Sequence, residues 1–264
     1  MLFTRRAGKG PPLLGAYLSI ESAYSAHVMG RAGFDWLLID MEHSPLSARD
    51  ATAMVHAVAV GSRGSCGSLV RIPALGVEWV KWALDSGAAG VVAPMVQTKA
   101  EAEQLVRFAA YPPLGQRSFG PFNAPWADLS PDSSMAKYFS TTSKDVAIIV
   151  MIESLAGVNE ADAIMSTTGI GGVFVGPVDL RLSMGLQGAD GQEPEYVQAL
   201  EKIVRIGKRV GIPVGIFSAS PESLKVHLAM GFSFVLVSGD AMALTNGVQS
   251  AMDVSRQVVR ELKL

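Results

Sequence analysis

Two carboxylates stand where buried apolar runs give out. Ala147-Ile148-Ile149-Val150-Met151-Ile152 leads into Glu153, and Gly172-Val173-Phe174-Val175-Gly176-Pro177-Val178 leads into Asp179. Each run is short and apolar enough for a fully buried strand. A carboxylate at such an exit is poorly explained by packing, because Asp and Glu are rarely buried unless paired or metal-bound. Two of them on successive strand ends point to a shared cation. With no His-x-x-x-His and no cysteine pair, oxygen ligation is favoured, hence Mg2+ first, with Mn2+ or Co2+ as alternatives. Two protein ligands leave positions that the carboxylate and keto oxygen of a 2-oxo acid could fill. The competing reading is structural, with Glu153 capping the next helix and Asp179 paired with Arg181.

Arg71 interrupts the apolar stretch Leu69-Val70-Arg71-Ile72-Pro73. A guanidinium cannot shed its charge and needs an anion. That anion is either a substrate carboxylate or enolate oxygen, or Asp40 or Glu42 in a salt bridge at the strand ends. His43 is the only histidine at an expected strand exit, in Asp40-Met41-Glu42-His43; His27, His56 and His227 fall on expected helices. Beside two acids it could shuttle a proton, and the alternative is a surface side chain. Gln97, Ser218, Ser238 and Asp240 stand at the other exits. Lys9, Lys81, Lys99, Lys137, Lys144, Lys202, Lys208, Lys225 and Lys263 all fall elsewhere, which argues against a Schiff-base lysine in this site. Neither G-x-x-x-x-G-K-[ST] nor G-x-G-x-x-G occurs.

The elements that must position these residues alternate regularly. Strands are expected at 13–20, 35–40, 68–73, 90–96, 146–152, 172–176, 213–217 and 232–237. The helices between them are expected at 22–32, 47–60, 77–86, 98–110, 157–168, 194–210 and 220–230, with a last amphipathic helix at 241–262. Ser47 with Asp50 and Thr98 with Glu101 have the spacing of capping boxes. Eight such units in 264 residues, without a composition shift, fit a single α/β domain: a (β/α)8 TIM barrel rather than an open sheet. Residues 111–145 break the rhythm with Pro, Gly and aromatics, and read as an inserted functional loop.

A net charge of −2 and no basic stripe argue against nucleic acid as a main partner. The single cysteine, Cys66, forms no internal disulfide and reads as a loop thiol. Met1 to Arg6 lacks the apolar run of a signal peptide, and no run reaches the ~18 residues of a membrane span. A cytoplasmic protein without a membrane partner is expected.

Taken in order, Leu38-Ile39-Asp40-Met41-Glu42-His43, Val70-Arg71-Ile72-Pro73, Tyr111-Pro112-Pro113-Leu114-Gly115-Gln116-Arg117, Ile152-Glu153 and Val175-Gly176-Pro177-Val178-Asp179-Leu180 resemble the HpcH/HpaI aldolase family. The similarity runs from about residue 14 to about residue 244. It implies a metal-dependent, class II pyruvate aldolase. Glu153 and Asp179 match the metal ligands, Arg71 the arginine that binds pyruvate and its enolate, and His43 the catalytic histidine. Asp85 matches an aspartate that partners this histidine from a neighbouring subunit. Gly176, Pro177 and Ser218 are expected to border the small 2-oxo acid substrate. Members are trimers or hexamers that exchange their last helix, so 241–264 is expected to pack on another chain. Met151 stands where bacterial members have glutamine, which removes a hydrogen-bonding group from the pocket floor. The aromatic stretch Phe119 to Trp126 is closer to the macrophomate synthase branch, which decarboxylates oxaloacetate. Two other readings are an acyl-CoA lyase of the citrate lyase type and a barrel that serves only in binding or assembly.

Overall fold

In the computed structural model, which describes residues 10–262, eight parallel strands close into a barrel in sequence order. They are β1 (Leu13–Leu18), β2 (Trp36–Asp40), β3 (Gly67–Arg71), β4 (Gly90–Ala93), β5 (Ala147–Ile152), β6 (Gly172–Val175), β7 (Val214–Phe217) and β8 (Phe234–Gly239). β8 closes on β1 with a register shift at Gly15/Ala16. The expected (β/α)8 fold is the observed one. Met1 to Arg6, Lys9 and Lys263 lie outside the described residues.

The helices are α1 (Ala23–Gly30), α2 (Ala48–Ser62), α3 (Val77–Asp85), α4 (Lys99–Ala109), α5 (Met135–Ser140), α6 (Leu155–Asn159), α7 (Ala161–Met165), α8 (Pro177–Ser183), α9 (Pro194–Val210), α10 (Pro221–Met230) and α11 (Asp240–Glu261). Both expected capping boxes form, at Ser47/Asp50 and Thr98/Glu101. The helix expected over 157–168 is instead two short ones that meet at Glu160. α8 was not expected, and its start carries no side-chain cap that the sequence could announce. No described helix is long and apolar enough to cross a membrane.

Strand alternation divides the core in two. Leu13, Trp36, Leu38, Leu69, Val92, Ile149, Met151, Phe174, Phe234 and Leu236 fill the barrel interior. Leu37, Ile39, Val70, Val91, Ile148, Val150, Val173 and Val235 face the helices. Two interior glycines make room for rings: a Cβ on Gly15 would meet the Trp36 ring at 2.3 Å, and one on Gly215 the Phe234 ring at 2.3 Å. The interior is therefore a packed floor, and the chemistry must sit above it. Cys66, expected as a loop thiol, is buried in the helix layer.

Candidate active site

The same alternation lifts the polar residues into the mouth. Asp40 lies two residues beyond Leu38, Arg71 two beyond Leu69, and Glu153 two beyond Met151, so all three continue interior-facing rows. All three are buried, with Glu153 only 3% exposed. Burying charge requires compensation, and the arrangement supplies it unevenly.

Arg71 is fully engaged. Its Nε donates to Asp40 Oδ1 (2.9 Å) and its Nη2 to Asp40 Oδ2 (2.6 Å), while Nη1 lies 3.1 Å from Glu42 Oε2. The guanidinium also sits over the Tyr17 ring, 5.4 Å from its centroid, and Nη1 is 4.0 Å from Met151 Sδ. The salt bridge left open by the sequence thus forms with both acids. Met151 takes the floor position beneath Glu153 with a thioether.

Among the described residues, Glu153 has no such cation. Its Oε1 accepts from the backbone N–H of Met95 (2.7 Å), a residue held at φ 54° where the chain turns out of β4. Desolvation pushes its carboxyl up to about 7, with Glu42 and Asp179 adding to the rise and Arg71 opposing it. Gly176 leaves the space beside it: a Cβ there would lie 2.1 Å from Glu153 Oε2. Asp179 stands in the first turn of α8, which Pro177 opens, exposed and within electrostatic reach of Glu153 and Glu42. Glu42 is raised too, first by desolvation.

Both structural alternatives for the acidic pair fall away. The cap of α6 is Ser154, whose side chain accepts from Gly157 N, not Glu153. Arg181 pairs with Glu193, not Asp179. A buried carboxylate without a cation among the described residues, with a second carboxylate within electrostatic reach, fits a hard divalent ion. Among the described residues no group of three or more His, Cys, Asp and Glu is arranged as a metal cage, so such an ion would keep positions for substrate oxygens and water.

The remaining expected residues are dispersed. His43 sits at the rim, its side chain 66% exposed and Nε2 3.7 Å from Glu42 Oε2. Ser218 follows the interior-facing Phe217 and so points outward, where its Oγ bonds His227 Nδ1 at 2.8 Å. Asp85 ends α3 at the opposite end of the barrel, paired with buried Arg117 at 2.7 Å. The 111–145 segment joins the end of α4 to the start of β5 and lies at that far end as well, with Phe119, Phe122 and Trp126 exposed. Within one chain neither Asp85 nor the aromatic segment reaches the mouth. Tyr17 is the mouth residue that the sequence reading missed; the interior row Leu13, Gly15, Tyr17 was the available signal. Its phenol is pushed up to about 12 by desolvation.

The chain is similar to known proteins over nearly its whole length. The family described as HpcH/HpaI aldolase/citrate lyase matches residues 13–247. A hydroxypyruvate/pyruvate aldolase from Paraburkholderia phytofirmans is 35% identical over 246 residues, 93% of this chain and 94% of that protein. Among solved structures, an HpcH/HpaI aldolase/citrate lyase family protein from Burkholderia cenocepacia J2315 superposes with a TM-score of 0.86 at 33% identity, covering 96% of this chain and 98% of that one. Macrophomate synthase gives 0.83 at 29% identity, covering 95% of this chain and 86% of that one.

Proposed function

The chain belongs to the HpcH/HpaI aldolase/citrate lyase family, carbon–carbon lyases of the divalent-metal-dependent class II type, and from that premise we propose that it cleaves 4-hydroxy-2-oxo acids to pyruvate and an aldehyde and decarboxylates oxaloacetate through the same pyruvate enolate. The observation that carries this reading is Glu153, a buried carboxylate with no cation of its own among the described residues and with Asp179 within electrostatic reach. These two would hold Mg2+, or Mn2+ or Co2+ in its place. When bound, the cation supplies Lewis-acid polarisation of the substrate's keto oxygen.

The protein's own groups do the rest. Arg71 presents a permanent positive charge whose fork is fixed by Asp40, so it is preorganised for the negative charge that develops as the C3–C4 bond breaks. The backbone at Gly176 and Pro177 borders the acid, whereas Ser218, just past β7, faces outward to His227. Tyr17, Met151 and Phe217 form a low-dielectric floor that strengthens these interactions. In retro-aldol cleavage His43, assisted by Asp85 of the partner subunit, removes the 4-hydroxyl proton. Decarboxylation loses CO2 and needs no such base.

The reading includes a cytoplasmic homo-oligomer, a trimer or hexamer in which α11 crosses to a second copy. It is supported by α11 itself, of which only Asp240 is buried. The test is pyruvate release from oxaloacetate and from a panel of 4-hydroxy-2-oxo acids, before and after chelation and on return of Mg2+. Loss on chelation and recovery with Mg2+ is expected; release that ignores the chelator overturns the reading.

A further inference from the structure

The helix that carries Asp179 is seven residues long and has no side-chain cap at its start. So short a helix is marginal on its own, and its orientation must be imposed from outside. Arg181, two residues beyond Asp179, does not share its face of the helix. Its side chain is 3% exposed. Nε donates to the carbonyls of Gln187 (3.2 Å) and Gly188 (3.0 Å), and Nη2 donates to Gln187 O (2.8 Å) and Glu193 Oε1 (2.9 Å). Nη1 donates to Glu193 Oε2 at 2.6 Å, and the guanidinium lies over the Tyr196 ring, 4.9 Å from its centroid. One side chain therefore ties α8 to the loop that follows it and to the start of α9. The loop is shaped for this contact. A Cβ on Gly191 would fall 1.9 Å from Arg181 Nη1 and 2.1 Å from Glu193 Oε2, so a larger residue would have to push the pair apart.

We propose that Arg181, Glu193 and Gly191 form a clamp that positions Asp179, so that cation affinity at the mouth depends on residues that touch neither cation nor substrate. The inference rests on the assignment of Glu153 and Asp179 as the metal pair. The hydrogen bond from Arg181 holds the Glu193 carboxyl down at about 2, which keeps the clamp charged at neutral and mildly acidic pH.

The test is calorimetric titration of the metal-free, full-length protein with Mg2+, with thermal melting in parallel. Glu193→Gln and Gly191→Ala are each expected to weaken Mg2+ binding about tenfold or more, the usual effect of losing a residue that orients a ligand. At saturating Mg2+ kcat should return towards that of the unaltered protein, because the substrate-facing groups are intact. Arg181→Lys should not rescue the affinity, since an ammonium cannot form the fork. Should the arginine variant fail to fold, the Glu193 and Gly191 variants decide the matter, as both keep the buried guanidinium. Asp179→Asn separates the two layers. If it binds Mg2+ as the unaltered protein does, the metal assignment itself is wrong. If it loses Mg2+ while Glu193→Gln and Gly191→Ala bind normally, the clamp is overturned and the metal site stands.

Discussion

Asp40 and Arg71 are register partners on β2 and β3, and their side chains meet in a two-point fork directly above the barrel's apolar floor. The fork uses Nε and Nη2 and aims the guanidinium by geometry, while Glu42 meets Nη1 from the rim. Asp40→Asn keeps the shape but removes the charge that fixes the fork. It should lower kcat/KM for oxaloacetate about 100-fold, the scale of a misplaced catalytic group. Mg2+ affinity should change little, because Asp40 is not one of the proposed metal pair. Steady-state kinetics beside a metal titration checks this, and an equal loss in both would place Asp40 among the ligands.

The role proposed for His43 would make the two reactions separable. Its side chain is exposed and its near neighbour is Glu42, so replacing it should leave the melting temperature unchanged. His43→Ala should slow retro-aldol cleavage by about 100-fold or more, the range of general base catalysis. Oxaloacetate decarboxylation should stay near its original rate. Parallel assays on one enzyme preparation decide it, and equal losses would remove His43 from the role of base.

How much of this was legible in the chain follows from the range of each interaction. Asp40, Arg71 and Glu153 were readable because strand alternation is local: each lies two residues past an interior apolar side chain. The capping boxes at Ser47 and Thr98 were readable for the same reason. What a side chain pairs with across a loop was not. Its position two residues on makes Arg181 a candidate partner of Asp179, yet its acid is Glu193, brought back by a turn through Gly185, Gly188 and Gly191. Ser218 stands at a strand exit, but one residue of alternation turns it outward to His227. The aromatic stretch around Phe119 announced a functional loop, and only the closed barrel shows that it lies at the end away from Glu153.

Glu153 gives the metal-free protein a distinctive pH response. Its carboxyl is raised by desolvation from an ordinary value near 4.5 to about 7. The folded protein therefore holds this proton more tightly than the unfolded chain does. The resulting stabilisation is present below about 4.5 and is lost as pH rises towards and through about 7. Glu42, raised by its own desolvation, acts in the same direction. A cation at the proposed site would replace the missing proton, so the upward shift in melting temperature on adding Mg2+ should be small at pH 5.5 and grow through pH 8. Melting curves with and without Mg2+ at four or five pH values check this, and a pH-independent shift would mean that Glu153 is not the ligand.

The last helix argues for a second chain. α11 runs 22 residues, and past Asp240 every described residue in it is exposed, including Leu244, Val248, Met252 and Val259. Leu244, Val248 and Met252 recur every four residues and so share one face, an apolar stripe that water does not stabilise. Its root is firmly fixed, since Asp240 accepts from Ser19 N, Ser19 Oγ, Ile20 N and Ser25 Oγ. In the proposed exchange, a second copy would cover this helix, which is anchored at one end and bare along the rest. Light scattering should find the unaltered protein as a trimer or hexamer, and Val248→Asp with Met252→Asp should reduce it to smaller species. Because Asp85 sits at the far end of its own barrel, the dissociated enzyme should lose retro-aldol activity more than decarboxylation. An unaltered chain that runs as a monomer and retains full retro-aldol activity would end both the exchange and the role given to Asp85.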